Sequence, residues 1–303
     1  MFPGCDGYYS PFLAPDNIGS FKPGFLKKRF PDAGYGINLV PQLLVNNKDA
    51  FLNTAVKLTD MGYRHINLNA GCPSGTVFSK HKGSGMLADK DSLNRCLEGI
   101  FNGAEKIGIK VSIKTRMGIE STDEFPEILE IYNRYPVERL IIHARDRKGL
   151  YQSRPDVEGF KTAFTTSINP VSYNGEVFST YDMNSVVNTV PELESVMIGR
   201  GGVANPALVR MLQGGAPLEL EELREFHDRI LDESLSEGLS PGFAVERMKG
   251  LWYYMIWLFP GSEKAYKAIK KARRIEDYRS AVSALFKTED FDGSHGFPGT
   301  RTE

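Results

Sequence analysis

The feature that most restricts how this chain can fold is a repeating beat. Seven times, a short run of β-forming residues stops at Gly, Pro or a polar cluster, and a stretch with helical spacing of apolar residues follows. The β runs fall at 7–13, 37–44, 66–69, 110–115, 139–144, 170–173 and 195–198. Such alternation at even spacing predicts parallel strands, and seven units favour a closed barrel over an open sheet. No GxGxxG turn follows the first run, which argues against a dinucleotide-binding open sheet. The expected fold is α/β, a TIM (β/α)8-type barrel with seven visible strand–helix units. Eight strands would close it, so either one lies upstream of Met1 or an unusual element substitutes for it.

The helical stretches are patterned for burial on one face. Phe51, Ala55 and Leu58 share a face of a helix over 47–61, and Leu93, Cys96, Leu97, Ile100 and Ala104 line one stripe over 91–106, which makes Cys96 a core residue. A third helix, capped near Ser121-Thr122, carries Phe125, Ile128, Leu129 and Tyr132, and a fourth covers 179–190. Asn205-Pro206 is expected to open a short helix, with Pro in its first turn. Residues 145–156, rich in Arg and Tyr, read as a substrate loop. From 218 the β runs cease and helical patterns fill 219–237, 243–259, 262–274 and 276–286. The expected organisation is a barrel over 1–215, a helical bundle over 216–287 and a disordered tail over 288–303, where Gly, Asp and Thr dominate.

Charge and cysteine usage narrow the function classes. The net charge is −1, so any contact with a polyanion must come from a local basic patch. Three cysteines without a CxxC fit a reducing compartment better than a disulfide scaffold. The first residues lack the basic-then-apolar pattern of a leader, and no apolar run reaches membrane-spanning length. The expectation is a cytoplasmic protein without metal or membrane partner, favoured as a monomer.

The β runs end in chemistry. Gln42 closes the second, Asn69 and Cys72 the third, Lys114 and Arg116 the fourth, His143 and Arg145 the fifth, Asn174-Gly175 the sixth and Gly199-Arg200 the seventh. The carboxyl ends of barrel strands are where such folds place reacting groups. Gly71 and Pro73 restrict Cys72 while giving it little apolar cover, and the loop beyond it carries Lys80, His81 and Lys82. The last two turns suit a phosphate, with His143, Arg145 and Arg200 adding charge-assisted bonds. An inward Lys114 suits negative charge on a cofactor ring, such as a reduced flavin carries. Each residue alone has an ordinary structural reading; few carboxylates stand among these ends to neutralise them.

Taken together, NLNAGCPS at 67–74 with KGSGML after it, IKTRMG at 113–118, IHAR at 142–145, YNG at 173–175 and MIGRG at 197–201 resemble the tRNA-dihydrouridine synthases, over roughly residues 7–285. The resemblance implies an FMN-bearing TIM barrel followed by a helical tRNA-binding domain. It also implies that NADPH reduces the flavin, that hydride passes to C6 of a uracil, and that Cys72 gives a proton to C5. Position by position, it implies that Asn69 holds the uracil, that Gln42 and Lys114 contact the isoalloxazine ring and that His143 contacts the FMN phosphate. Asn174, Gly175, Gly199 and Arg200 would complete the phosphate end, and Arg116 and Arg145 would lie near the flavin or the substrate nucleotide.

Reducing a pyrimidine C=C needs a hydride donor and an acid on opposite faces of the base, and a thiol suits the second task. A base that must leave its stack to reach a barrel floor also calls for a second binding surface. Over 218–287 the 12 basic and 12 acidic residues balance, yet Lys264, Lys267, Lys271 and Arg274 fall on one side of a helix, and Lys267 and Lys271 are expected to meet the RNA backbone. Two other readings stand beside this one. The first is a truncated, flavin-poor RNA-binding protein, because family members open with a strand reading approximately Ala-Pro-Met that this chain begins after. The second is an FMN barrel oxidoreductase acting on a small molecule, which would have no use for the basic bundle.

Overall fold

The computed structural model describes residues 4–30, 36–287 and 290–299, and it divides into two compact units. The first comprises Cys5–Gly175 and Val187–Met197, and it carries every strand. In order these are β1 (Tyr8–Tyr9), β2 (Leu39–Val40), β3 (Gln42–Leu43), β4 (His65–Ala70), β5 (Lys110–Gly118), β6 (Leu140–Asp146), β7 (Val171–Asn174) and β8 (Val196–Met197). Strands β3 to β8 pair in sequence order, all parallel, as in a TIM barrel, and β1 lies parallel to β2. Leu13 adds a single bridge to Leu43.

The run at 37–44 was expected as one strand, and Pro41 divides it. Proline has no N–H to give the ladder. Its carbonyl still accepts from the Asn67 N–H at 2.8 Å, so β2 and β3 trace one path. Counted that way, seven strand paths follow one another, in line with the sequence pattern. Among the described residues β1 pairs with β2 alone and β8 with β7 alone.

Side chains alternate between the two faces of a strand, and here the two sets differ in chemistry. Ile66, Leu68 and Ala70 of β4, Val111, Ile113 and Thr115 of β5, and Ile142 and Ala144 of β6 form one set, all buried. The other set holds Asn67, Asn69, Ser112, Lys114, Arg116, His143, Arg145, Ser172 and Asn174. Register puts Asn69 opposite Lys114, Arg116 opposite His143, and His143 opposite Asn174. The polar strand ends therefore share one face.

Helices cover the strands largely as patterned. Lys48–Asp60 starts where the Asn47 side chain accepts from the Ala50 N–H at 2.8 Å. Lys90–Ile107 starts at an equivalent Asp89 cap and stops at Gly108, whose φ of 68° lies in the left-handed region. Its stripe, Cys96 included, is buried, and burial pushes the Cys96 thiol up to about 11. The helix Val157–Thr166, capped by Asp156, follows the loop after β6 and stands outside the sequence expectation. Among the described residues no helix is long and apolar enough to cross a membrane, and no group of three or more His, Cys, Asp or Glu is placed to hold a metal ion.

The second unit comprises Gly4, Glu176–Val186 and the described residues from Ile198 on, so its main part begins earlier than the expected boundary at 216. The helices Leu220–Ser236, Pro241–Met255, Glu263–Lys271 and Ile275–Leu285 enclose a core centred on Trp252, Met248, Leu231, Tyr278 and Leu285. Polar groups inside that core are matched in sequence: Trp252 Nε1 donates to the Tyr278 hydroxyl at 2.8 Å, Tyr278 Oη and His227 Nε2 lie 2.7 Å apart, and His227 Nδ1 is 2.8 Å from Asp228 Oδ1. A neutral imidazole with its proton on Nδ1 satisfies all three contacts.

Two sequence expectations are corrected in this unit. Asn205-Pro206 stands just ahead of a short helix and not in its first turn: Arg200–Ala204 precedes it and Leu208–Leu212 follows it. Buried Asn205 instead caps the second turn through the Ala207 N–H and donates to the carbonyls of Gly293 and His295 at 2.8 and 3.1 Å. That bond is part of the second correction. Residues 290–299 of the supposed disordered tail are packed: Phe291 lies against Phe259, and Phe297 against Phe178, Tyr254 and Trp257. Two aromatic anchors outweigh the polar composition around them.

Candidate active site

The centre of the polar face is a chain of amides. Asn69 Nδ2 donates to Gln42 Oε1, Gln42 Nε2 donates to Asn67 Oδ1, and Asn67 Nδ2 donates to Ser112 Oγ, each at 2.8 Å. These bonds fix the amide orientations from β3 to β5. Asn69 Oδ1 turns the other way and accepts from the backbone N–H groups of Gly71 at 3.1 Å and Cys72 at 2.9 Å. One N–H of Asn69 remains uncommitted among the described residues.

Cys72 is thus fastened from in front and from behind. Its carbonyl accepts from the Ser84 N–H at 3.1 Å and the Ser84 hydroxyl at 2.9 Å. Gly83 has φ +57°, and a Cβ there would come within 2.8 Å of both the Cys72 Cβ and its carbonyl oxygen. Only glycine combines that backbone with that approach. The thiol stays half-buried while its backbone is pinned. The stretch beyond it, expected as a long flexible loop, is built from a helical turn, Gly75–Phe78, and a 3₁₀ turn, Gly83–Ala88.

Lys114, opposite Asn69 in the ladder, is the cation of this face. No described residue gives its ammonium a hydrogen bond or a carboxylate. Burial, and after it the Arg116 charge, pull Lys114 down to about 8, with Cys72 acting the other way. An uncompensated ammonium beside a half-exposed thiol is a costly arrangement for a fold with no use for it.

Arg116 and Arg145 behave differently. Both are about 1% exposed. Arg116 donates from Nη1 to the Asp146 carbonyl at 2.5 Å and from Nη2 to the Leu150 carbonyl at 3.0 Å, and Arg145 Nε donates to the Ser153 carbonyl at 2.6 Å. They shape the loop after β6, holding Leu150 at a left-handed φ of 48°. The Arg116 guanidinium also lies 5.4 Å from the Tyr151 ring, and its Nε is buried without a partner. His143 sits between, with Nε2 3.2 Å from Arg145 Nη1 and its ring 5.8 Å from Tyr151. Arg147 packs its guanidinium 3.8 Å from the Phe78 ring, joining this loop to the one after Cys72.

Asn174 donates to the Met197 carbonyl at 2.9 Å, tying β7 to β8. At Gly175 a Cβ would meet the Tyr173 hydroxyl at 2.1 Å, so close packing demands glycine there whatever else the turn does. Gly199 and Arg200 belong to the second unit, where Arg200 lies 3.4 Å from the Glu176 carboxylate and 5.4 Å from the Phe178 ring. Lys267 and Lys271 are in that unit too, exposed on Glu263–Lys271.

The structure thus gathers Gln42, Asn69, Cys72, Lys114, Arg116, His143, Arg145 and Asn174 in the first unit. Asn67, Ser112, Gly83 and Ser84 join them, none of which the sequence had singled out for a role. For Asn67 the signal was available, since it stands two residues before Asn69 and so on the same face.

Comparison with known proteins places the chain in a family. The family model described as Dihydrouridine synthase (Dus) matches residues 28–240. The tRNA-dihydrouridine(16) synthase of Neisseria meningitidis serogroup B is 25% identical over 254 residues, covering 82% of this chain and 75% of that protein. The tRNA-dihydrouridine synthase B of Pasteurella multocida is 25% identical over 252 residues, covering 77% and 72%. Among solved structures, histamine dehydrogenase from Rhizobium sp. 4-9 aligns with a TM-score of 0.51 at 12% identity, over 68% of this chain and 40% of that one, a likeness of fold alone. With well over half its length matched by one family model, the chain belongs to the dihydrouridine synthase family.

Proposed function

We propose that this protein reduces uridine to 5,6-dihydrouridine in tRNA, with FMN as resident cofactor, NADPH as reductant and Cys72 as the proton donor. The observation that carries the reading is the pair formed by Cys72, half-buried with its backbone fixed, and Lys114, a cation without a partner among the described residues. The residues fit a flavin. Lys114 offers charge for an electron-rich ring, the Gln42 amide is fixed on the same polar face, and His143 and Asn174 stand level on adjacent strands as contacts for a phosphate.

When bound and reduced, FMN supplies the hydride for C6 of the uracil. The remaining tasks fall to the chain. Asn69 presents its uncommitted N–H to a carbonyl of the base, and the Cys72 thiol delivers its proton to C5 from the opposite face. Lys114 favours the thiolate left behind, because a cation close by lowers the cost of that charge. Arg116 and Arg145 act at one remove, through the loop whose carbonyls they hold. Lys267 and Lys271 are assigned to the tRNA backbone, and a tRNA substrate makes the cytoplasm the expected compartment.

The test is a visible spectrum of the purified protein with an assay on unmodified tRNA. Flavin absorbance that NADPH bleaches, together with dihydrouridine formed in the RNA, is the expected result. A colourless protein whose melting temperature does not rise with added FMN would overturn the flavin assignment.

A further inference from the structure

The second unit carries an aromatic strip that the chemistry above does not use. Tyr253 and Trp257 stand four residues apart, which places them on one side of the helix Pro241–Met255 and the 3₁₀ turn that continues it. They are 54% and 45% exposed. Phe297 from the packed tail lies under both, 5.8 Å from the Tyr253 ring and 6.1 Å from the Trp257 ring, the latter edge-on at 85°. Tyr253 also packs edge-on against Tyr254 at 4.9 Å, so its ring is held rather than free to turn. The strip continues towards the basic helix. Tyr253 acts electrostatically on the Tyr266 hydroxyl, and the Lys270 ammonium sits 4.5 Å from the centre of the Tyr266 ring. On that helix and just beyond it, Lys264, Lys267, Lys271 and Arg273 are exposed and have no carboxylate partner among the described residues.

Large exposed aromatic surface held in place is uncommon on a monomer and marks a binding face. Aromatic planes beside unpaired cations match one ligand chemistry, that of an RNA with unstacked bases. The bases stack on the rings and the phosphates meet the lysines. A protein partner with an apolar patch would leave those cations uncovered, which makes it the poorer occupant. We infer that Tyr253 and Trp257, supported by Phe297, form a stacking platform on the second unit for one or two unpaired bases of the RNA substrate. This rests on the reading of the protein as a tRNA-modifying enzyme and adds to it a second point of contact with the same RNA.

The chain has two tryptophans, and Trp252 is fully buried, so the part of the emission change that Trp257→Phe removes reports on Trp257. Titrating unmodified tRNA into the full-length protein should quench the emission saturably, and Trp257→Phe should remove the quenching. Tyr253→Ala should raise KM for tRNA about tenfold, in the range a single stacked base is worth, with kcat unchanged and Tyr253→Phe restoring it. The slope of affinity against salt should stay as in the parent protein, because stacking releases no counterions. Binding of tRNA without quenching, or an unaltered KM in Tyr253→Ala, would overturn the platform, as would Trp257 buried in a concentration-dependent dimer. Quenching by tRNA in a protein that forms no dihydrouridine would uphold the platform and defeat the enzymatic reading instead.

Discussion

On the polar face of the first unit, the proposed chemistry rests on two side chains, Cys72 and Lys114. Cys72 is restrained through its own N–H and carbonyl, so removing its sulfur leaves the fastening intact. Cys72→Ala is therefore expected to abolish dihydrouridine formation while the flavin remains reducible by NADPH. Rapid-mixing absorbance beside an RNA assay separates the two. Lys114 is the group whose charge changes within reach of the working pH. With its proton lost near pH 8, affinity for FMN should fall as pH rises through that value, and the dependence should vanish in Lys114→Met. In the unliganded protein the same shift acts in the opposite sense. Between about 8 and the ordinary lysine value of about 10.4 the unfolded chain retains a proton the folded one has shed, so stability rises with pH across that window. Flavin titration and thermal melts over pH 7 to 10 check both.

At the scale of elements, alternation along β4, β5 and β6 was legible because period-two patterning sends apolar and polar residues to opposite faces. The split at Pro41 was legible in principle, since proline cannot complete a ladder. The helix Val157–Thr166 was obscured by the Arg- and Tyr-rich stretch before it, although Asp156 is an ordinary cap. The loop roles of Arg116 and Arg145 could not be read in advance. Their partners are backbone carbonyls, as far as 34 residues ahead for Arg116, and a carbonyl carries no mark in a sequence. In the bundle, the series from Asp228 through His227 and Tyr278 to Trp252 depends on a neutral imidazole. Burial holds His227 below its usual value, opposed by the carboxylates of Asp228 and Asp232. Below about pH 6.5 the unfolded chain binds a proton that the folded bundle resists, so stability should fall as the solution is acidified through that region. Chemical denaturation at pH 7.5 and 5.5 should show the loss, and His227→Gln should flatten it.

For the molecule as a whole, a near-neutral net charge coexists with a local run of lysines and arginines, and the sequence displayed both. Counterion release makes such a run count in RNA affinity. Replacing Lys267 and Lys271 together by Glu should weaken tRNA binding by one to two orders of magnitude and reduce its salt slope, measured by filter binding at several ionic strengths. Those residues stand on a helix predicted with its bounds nearly right. The division into units was less accessible. The sequence placed it where the strand pattern ends, near 216, whereas 176–186 and 198–215 associate with the helices. Contacts such as that of buried Asn205 with Gly293 and His295, some ninety positions away, draw that border, and no local pattern announces them.

The amide of Asn69 has a consequence for which nucleobases are accepted. Both acceptor positions of its oxygen are occupied by backbone N–H groups and one hydrogen of its nitrogen is engaged by Gln42, so the group can give but not receive. In the role proposed for Asn69, a donor facing position 4 of the base would suit the keto group of uracil and oppose the exocyclic amine of cytosine, whereas a donor facing the 2-keto group, which both bases carry, would not tell them apart.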